Sequence, residues 1–257
     1  MDFLVQKMKY MGSKSRIAKY IVPIIQKYID ESNPMYYYEP FVGGSNVIDK
    51  IQCEIKVGID LNKYLIALFK HVQDGLPLYE SVSKELYDKA RTVFNTGNTS
   101  EFKDWQIGNI GFLASYNGRF FDGGYAKPGV EKTKTGERYR NYYEESKNNL
   151  LNQAPLLKDI VYFSKDYRTT NPVNSVIYCD PPYANTKQYF NARDFDYDEF
   201  WQIMRKWSEK NVVLISEENA PDDFECIWEQ EVSRSIKASN KSKSTEKLFK
   251  FKGENRC

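Results

Sequence analysis

Asp180-Pro181-Pro182-Tyr183 directly follows Val176-Ile177-Tyr178-Cys179. The continuous apolar run predicts a strand covered on both faces. Two prolines have no amide proton to give a neighbouring strand, so pairing ends there, and Pro182 holds Pro181 extended. A carboxylate, a stiffly held carbonyl and an aromatic face therefore meet at the carboxyl end of a strand, where open α/β sheets bind ligands. These groups suit a flat base with an exocyclic amine. The Asp180 carboxylate and the Pro181 carbonyl each accept one N–H, and Tyr183 stacks on the ring. The plain alternative is a strand closed by an Asx-Pro turn, and four residues alone do not decide between them.

The totals narrow the chemistry. A chain of 257 residues is one large domain, or one domain with an insertion. With 41% hydrophobic and 28% charged residues it reads as an ordinary soluble protein. No apolar run approaches the roughly 20 residues of a membrane span, and the first ten residues lack the apolar centre of a signal peptide. Cys53, Cys179, Cys226 and Cys257 have no paired metal spacing and read as free thiols in a reducing compartment. The single histidine, His71, lies in the helical run Leu65-Ile66-Ala67-Leu68-Phe69-Lys70-His71 and reads as a packed or surface residue. A His-dependent triad or His-ligated zinc would have to use it, so chemistry without imidazole or metal is expected. The net charge of +2 announces no partner, but its distribution does. Residues 231–257 hold eight Lys or Arg against three Glu, and Lys127, Lys132, Lys134, Arg138 and Arg140 form a second cluster. Basic clusters are most often solvated faces; two of them beside a base-binding motif favour phosphate contacts.

The positioning elements follow from periodicity. Lys9-Tyr10-Met11-Gly12-Ser13-Lys14-Ser15 is a glycine turn between cations. Ser13 or Ser15 caps a helix carrying Ile17, Tyr20, Ile21, Ile24, Ile25 and Tyr28 at helical spacing, with a kink or restart at Pro23. The turn lacks the adjacent Gly-Lys and the first glycine of a P-loop, which argues against ATP. A strand over 36–39 runs into Pro40-Phe41-Val42-Gly43-Gly44-Ser45-Asn46, with a helix from about Val47. Such a loop lets a nucleotide cofactor approach the backbone. The strand 55–60 ends at Asp60, placed for ribose hydroxyls. Helices are predicted over 62–72 and 79–94, with a loop at 95–100. No strand–helix alternation is visible between about 61 and 140, which predicts an inserted domain there and an α/β domain from 1–60 and 141–257. The insertion ends in Tyr116-Asn117-Gly118-Arg119-Phe120-Phe121-Asp122-Gly123-Gly124-Tyr125, a composition suited to loops that probe a groove. The α/β rhythm resumes with a helix over 142–153 and a strand over 160–163 ending near Asp166-Tyr167. After the Asp180 strand, Asp196 or Asp198 caps a helix whose Phe200, Ile203, Met204 and Trp207 share a face. A buried strand at 212–215 follows, then antiparallel edge strands at 226–228, 232–236 and 248–251 joined by a basic loop over 237–247.

With these motifs in this order, the chain resembles the Dam-type family of DNA adenine methyltransferases, which move a methyl group from S-adenosylmethionine (AdoMet) to adenine N6. The resemblance covers most of the chain. It rests on the Lys-aromatic-x-Gly-x-Lys of Lys9 to Lys14, Glu39-Pro40-Phe41-Val42-Gly43-Gly44, Asp60 before Asn62, Asp166 with Tyr167, Tyr116-Asn117-Gly118, and Asp180 to Tyr183. It implies a Rossmann-like sheet with helices on both faces, antiparallel C-terminal edge strands, and a mostly helical inserted target-recognition domain. It further implies that Tyr10, Lys14, Glu39, Pro40, Asp60 and Asp180 line the AdoMet site, that the loop of Phe41, Gly43 and Gly44 holds the methionine part, and that Asp166 and Tyr167 lie near the cofactor's adenine. Asp180, Pro181, Pro182 and Tyr183 would be catalytic. Tyr116, Asn117, Gly118 and Arg119, with Lys132, Lys134, Arg138, Lys241 and Lys243, would contact double-stranded DNA, the target base being flipped out of the helix. No metal is implied. A cognate restriction endonuclease, a monomer or weak dimer, and the cytoplasm of a bacterial or phage-infected cell complete the expectation.

Two departures stand out. Ser13 replaces a common second glycine. In the GATC-methylating branch an arginine follows Tyr-Asn-Gly by three positions; here that place is Phe121 and the arginine is Arg119, so a GATC target does not follow. Three other readings compete: a cytosine N4 methyltransferase, although those more often carry Ser before Pro-Pro-Tyr; a DNA-binding relative without catalysis; and a nicotinamide oxidoreductase, against which the loop lacks Gly-x-Gly-x-x-Gly.

Overall fold

A computed structural model describes residues 7–97, 99–133, 136–182, 195–237 and 240–253. In chain order its elements are α1 (Ala18–Ser32), β1 (Tyr36–Glu39), β2 (Ile55–Asp60), α2 (Lys63–Gln73), α3 (Lys84–Thr96), α4 (Asp104–Gly108), β3 (Gly129–Thr133), β4 (Gly136–Arg140), α5 (Tyr142–Leu157), β5 (Ile160–Ser164), β6 (Ser175–Cys179), α6 (Tyr197–Ser208), β7 (Val212–Glu217), β8 (Phe224–Lys237) and β9 (Asn240–Phe251). The chain divides into two compact units, one of residues 1–19, 43–50 and 62–164, the other of residues 20–42, 51–61 and 165–257.

The second unit is built on a sheet in which β2, β1, β6 and β7 run parallel, followed by antiparallel β9 and β8. All five residues of β6 are buried, as its apolar run requires. Phe200, Met204 and Trp207 of α6 pack with Ile177, Cys179, Val213, Ile215 and Phe249, and Asp196 caps that helix by accepting from the Glu199 amide at 2.9 Å. The result is a mixed α/β architecture on a mostly parallel sheet. Helix α1 runs through Pro23 as one element instead of breaking there. Ile21, Val22, Ile25 and Ile29 are buried on both sides of the proline, and that burial outweighs the one lost backbone bond.

The C-terminal segments also join differently from expectation. The stretch expected as a basic loop is largely strand: β8 and β9 form one long hairpin, with Ser235 opposite Lys241 and Lys237 opposite Asn240. Lys241-Ser242-Lys243-Ser244 alternates with period two, the strand period, and charge concealed it.

The first unit is mainly helical. Leu65, Leu68 and Phe69 of α2, Tyr87, Ala90 and Val93 of α3, Ile107 of α4 and Leu150 of α5 are buried in it. The hairpin β3–β4 adds strands to a region whose sequence shows none. His71 is packed, stacked on Trp105 with centroids 3.7 Å apart, its Nε2 2.9 Å from the Pro77 carbonyl. Helix α3 starts at Lys84, not Tyr79, because Ser83 caps it, while the Tyr79 carbonyl accepts from the Tyr143 hydroxyl. The helix expected from Val47 is a single turn, Ile48–Lys50. The Lys50 amide bonds the Val47 carbonyl at 2.9 Å, an i→i−3 turn, while its ammonium bonds the Asn46 carbonyl at 2.6 Å.

Candidate active site

In the second unit the parallel register sets the candidate acids along one edge. Glu39 lies opposite Gly58 of β2, and Tyr38 lies opposite Ile177 of β6. Asp60 and Asp180 each fall two residues beyond the level of Glu39, on opposite flanks of β1. At the usual strand spacing this puts their backbones about 9–10 Å apart. Glu39 is buried, and its Oε1 accepts from the Tyr37 hydroxyl at 2.7 Å. Burial, then the Glu39 charge, raises the Tyr37 pKa well above the ordinary tyrosine value, so the proton stays in that bond. Tyr178 beneath Asp180 is likewise raised, first by burial and then by the Asp180 charge, and shares a 2.8 Å hydrogen bond with Ser216. Asp180 and Pro182 are half-buried and Pro181 is buried; Tyr183 lies outside the described residues. The Pro182 carbonyl accepts from the Tyr197 hydroxyl at 2.5 Å. Burial, reinforced by Glu217, pushes the Tyr197 hydroxyl up to about 12, which keeps it a donor.

Phe41 and Tyr167 form an aromatic layer with Phe195 and Phe200; the Phe41 and Tyr167 centroids are 4.9 Å apart. Asp166 caps the short turn Tyr167–Thr169, one oxygen accepting the Arg168 amide and the other the Arg168 guanidinium. Those bonds hold its carboxyl below the usual range. The candidate cofactor acid is therefore clasped by its own neighbour, and Arg168 continues to Glu199 at 2.9 Å.

In the first unit the glycine loop has a different occupant from the one its sequence suggests. A Cβ on Gly43 would come within 2.9 Å of the Tyr10 ring, and one on Gly44 within 2.8 Å of Tyr10 Cβ and 2.5 Å of Asn46 Nδ2. The space left by the missing side chains is filled by the N-terminal motif, with Tyr10 also stacked on Phe112 at 5.8 Å. Lys14 is buried in the turn that follows. Ser13 Oγ receives the Asn46 Nδ2 donor at 2.8 Å, while Asn46 Oδ1 is buried without a hydrogen-bond partner among the described residues. An orphaned acceptor beside a glycine loop fits a ligand carrying a donor such as an ammonium.

The Tyr116-Asn117-Gly118 turn has positive φ at Asn117 and Gly118 (56° and 66°). A Cβ on Gly118 would lie 2.0 Å from the Lys9 carbonyl, so the backbone of Lys9-Tyr10 touches the target motif as well as the glycine loop. Tyr116 is exposed and packs on Tyr142 at 5.4 Å. Arg119 pairs with Asp122 at 2.7 Å. Lys132 and Arg138 are exposed. Lys134 and the side chains of Lys241 and Lys243 lie outside the described residues.

Lys7, Glu145 and Asn149 went unread in the sequence; with Lys9, Arg138 and Arg140 they line a hollow of about 390 Å³. There Glu145 binds Arg140 (2.9 Å) and Lys9 (3.0 Å), with Arg138 at 3.6 Å. Tyr197 gave no signal at all. Glu217 did: it ends β7 as Asp60 ends β2, is buried, and lies one residue beyond the level of Asp180.

Residues 10–220 match the model of the D12 class N6 adenine-specific DNA methyltransferases. The chain belongs to that family. The methyltransferase is 26% identical over 249 residues to the Type II methyltransferase M.MjaIII of Methanocaldococcus jannaschii, covering 84% of this chain and 85% of the relative. It is 27% identical over 193 residues to a DNA adenine methylase of Vibrio cholerae serotype O1, covering 69% and 64% respectively. A solved Pyrococcus horikoshii structure described as an RNA methyltransferase aligns over 94% of this chain and 85% of its own at 10% identity, with a TM-score of 0.41, too low to bear on the fold. No helix among the described residues of the methyltransferase is long and apolar enough to cross a membrane.

Proposed function

We propose that this enzyme transfers the methyl group of AdoMet to N6 of a specific adenine turned out of double-stranded DNA. The observation that carries the reading is Asp180-Pro181-Pro182 at the carboxyl end of a buried parallel strand, with the Pro182 carbonyl tied down by Tyr197. An adenine amine is a poor nucleophile because its lone pair is delocalised into the ring. The Asp180 carboxylate and the Pro181 carbonyl accept its two N–H groups, draw the nitrogen out of conjugation and point its lone pair away from the strand end. AdoMet, when bound, supplies a methyl group on a sulfonium that leaves readily. The protein therefore contributes position and electrostatics. The proton released from the methylated nitrogen passes to Asp180 and then to water. Stacking on Tyr183, worth ~1–3 kcal/mol in single-strand binders, offsets part of the few kcal/mol spent on unstacking the base.

By family resemblance Asp60 serves the ribose of AdoMet, Glu39 and Pro40 its strand-end pocket, and Asp166 with Tyr167 its adenine. Tyr10, Lys14 and the loop of Phe41, Gly43 and Gly44 serve its methionine end. Residues 61–140 recognise the target and residues 1–60 with 141–257 catalyse. Tyr116 fills the gap left in the duplex, with Asn117, Gly118 and Arg119 beside it. Lys132, Lys134, Arg138, Lys241 and Lys243 hold phosphates. A cognate restriction endonuclease is the partner we infer from the type II relative, and the working form is a monomer or weak dimer.

Expression in a methylation-deficient host, with modified bases mapped by single-molecule sequencing, yields N6-methyladenine at one short sequence. Asp180→Ala lowers turnover by roughly 10²–10³-fold or more, the scale of losing one preorganised electrostatic contact. Near wild-type turnover in that variant, or N4-methylcytosine as the product, would overturn the proposal.

A further inference from the structure

The carboxamide of Gln153 in α5 is completely buried. Its Oε1 accepts from the Met8 amide at 3.1 Å. Its Nε2 donates to the carbonyls of Gly44 and Ser45, both at 3.2 Å, and to Asp49 Oδ2 at 3.1 Å. One side chain thus joins the N-terminal segment that carries Lys9-Tyr10 to the backbone of the glycine loop. Asp49 is in turn fixed by Lys50 at 2.6 Å and Lys7 at 2.9 Å, so the acceptor side of the clamp does not drift. Tyr10 occupies the space a side chain at either glycine would need: an added Cβ would lie under 3.0 Å from Tyr10 atoms. Met8 is two residues from Tyr10, so the bond that ties Met8 to the loop also sets the Tyr10 ring beside it.

We propose that Gln153 is a positioning residue for AdoMet, setting the height of the Gly43-Gly44-Ser45 backbone and the Tyr10 ring through this single amide. The role rests on the reading that the loop receives the methionine end of the cofactor. Only a carboxamide serves both sides. A carboxylate cannot donate to the two carbonyls and would face Asp49, while a thioether of matching length bonds neither segment.

The test uses the full chain carrying Gln153→Met or Gln153→Glu, with folding checked by circular dichroism and thermal melting. AdoMet affinity by calorimetry falls at least tenfold. Affinity for a duplex bearing the mapped target, measured without cofactor, stays within twofold, and the kinetic loss falls on KM for AdoMet more than on kcat. Hydrogen exchange on the wild type reads the underlying assignment separately, as AdoMet-induced protection of amides 43–46. Protection in the wild type with unchanged affinity in a folded variant refutes the role of Gln153 alone. AdoMet binding without protection at 43–46 refutes the loop assignment and the proposal with it. Should Gln153→Met not fold, Gln153→Glu decides by the same readouts; should neither fold, the amide is structural and the proposal falls.

Discussion

Glycine in a nucleotide loop is usually explained by the approach of a ligand, yet here Gly43 and Gly44 are demanded first by Tyr10, and Gly118 by the Lys9 carbonyl. The same lesson applies to Phe121. It occupies the place where the GATC branch has an arginine, but it is 3% exposed, has φ of 52°, and packs against Tyr87, Phe94 and Phe120. That is a core position, not a reading head. Phe121→Arg is expected to bury an unpaired charge and cost about 3–5 kcal/mol, measured as a lower denaturant midpoint at unchanged slope, without acquiring GATC methylation. A stable variant that methylated GATC would show that the position faces DNA after all.

At the scale of elements, the parallel strands do one job: they end together. β1, β2 and β6 bring Glu39, Asp60 and Asp180 to one edge because parallel register keeps carboxyl ends level. Helix α6 then secures the loop after β6 from its first residue, Tyr197, whose hydroxyl holds the Pro182 carbonyl. Tyr197→Phe keeps the ring against Phe195 and removes only that bond, worth about 0.5–1.5 kcal/mol. Turnover is expected to fall roughly threefold to tenfold by the same amount, with the AdoMet Kd unchanged. Unaltered kcat would mean that the prolines alone hold the segment.

Elements were legible where their cause is local. The apolar run of β6, the Asp196 cap and the period of α6 are all short-range signals. The single turn after Val47 was not, since nothing in its local pattern marks a stop at Lys50. Nor was the first part of β9, residues 240–247, where lysines resemble a loop by composition while alternating like a strand; only its end, 248–251, was legible.

Across the whole molecule net charge is small, and among the described residues arginine–carboxylate clasps recur: Arg140 with Glu145 and Glu131, Arg168 with Asp166 and Glu199, and Arg205 with Asp223. Glu145, Asp166 and Asp223 are lowered chiefly by those arginines, and Glu131 by the Tyr142 hydroxyl first and Arg140 next, from ordinary values of 4.5 for Glu and 3.8 for Asp. A depressed carboxyl binds fewer protons in the folded state than in the unfolded one. Its stabilisation is therefore complete above the ordinary value and lost as pH falls through the folded one. These groups are largely solvated, so each contributes little. Thermal melts should be flat for these groups between pH 8 and 6 and decline below about pH 4.5, less steeply in Arg140→Met. A variant declining as steeply as the wild type would remove the Arg140 clasp from the account.

The sequence by itself determined the family, the strand-end acids, the glycine motif and Asp180-Pro181-Pro182-Tyr183, because strand period, proline chemistry and motif order are written in neighbouring residues. Only the tertiary structure decided that Tyr10 fills the glycine loop, that Lys9 meets both Gly118 and Glu145, and that Gln153 bonds residues 109 and 145 positions away. Such bonds depend on which faces meet once the chain has closed on itself, and a single buried amide leaves no periodic trace in the residues around it.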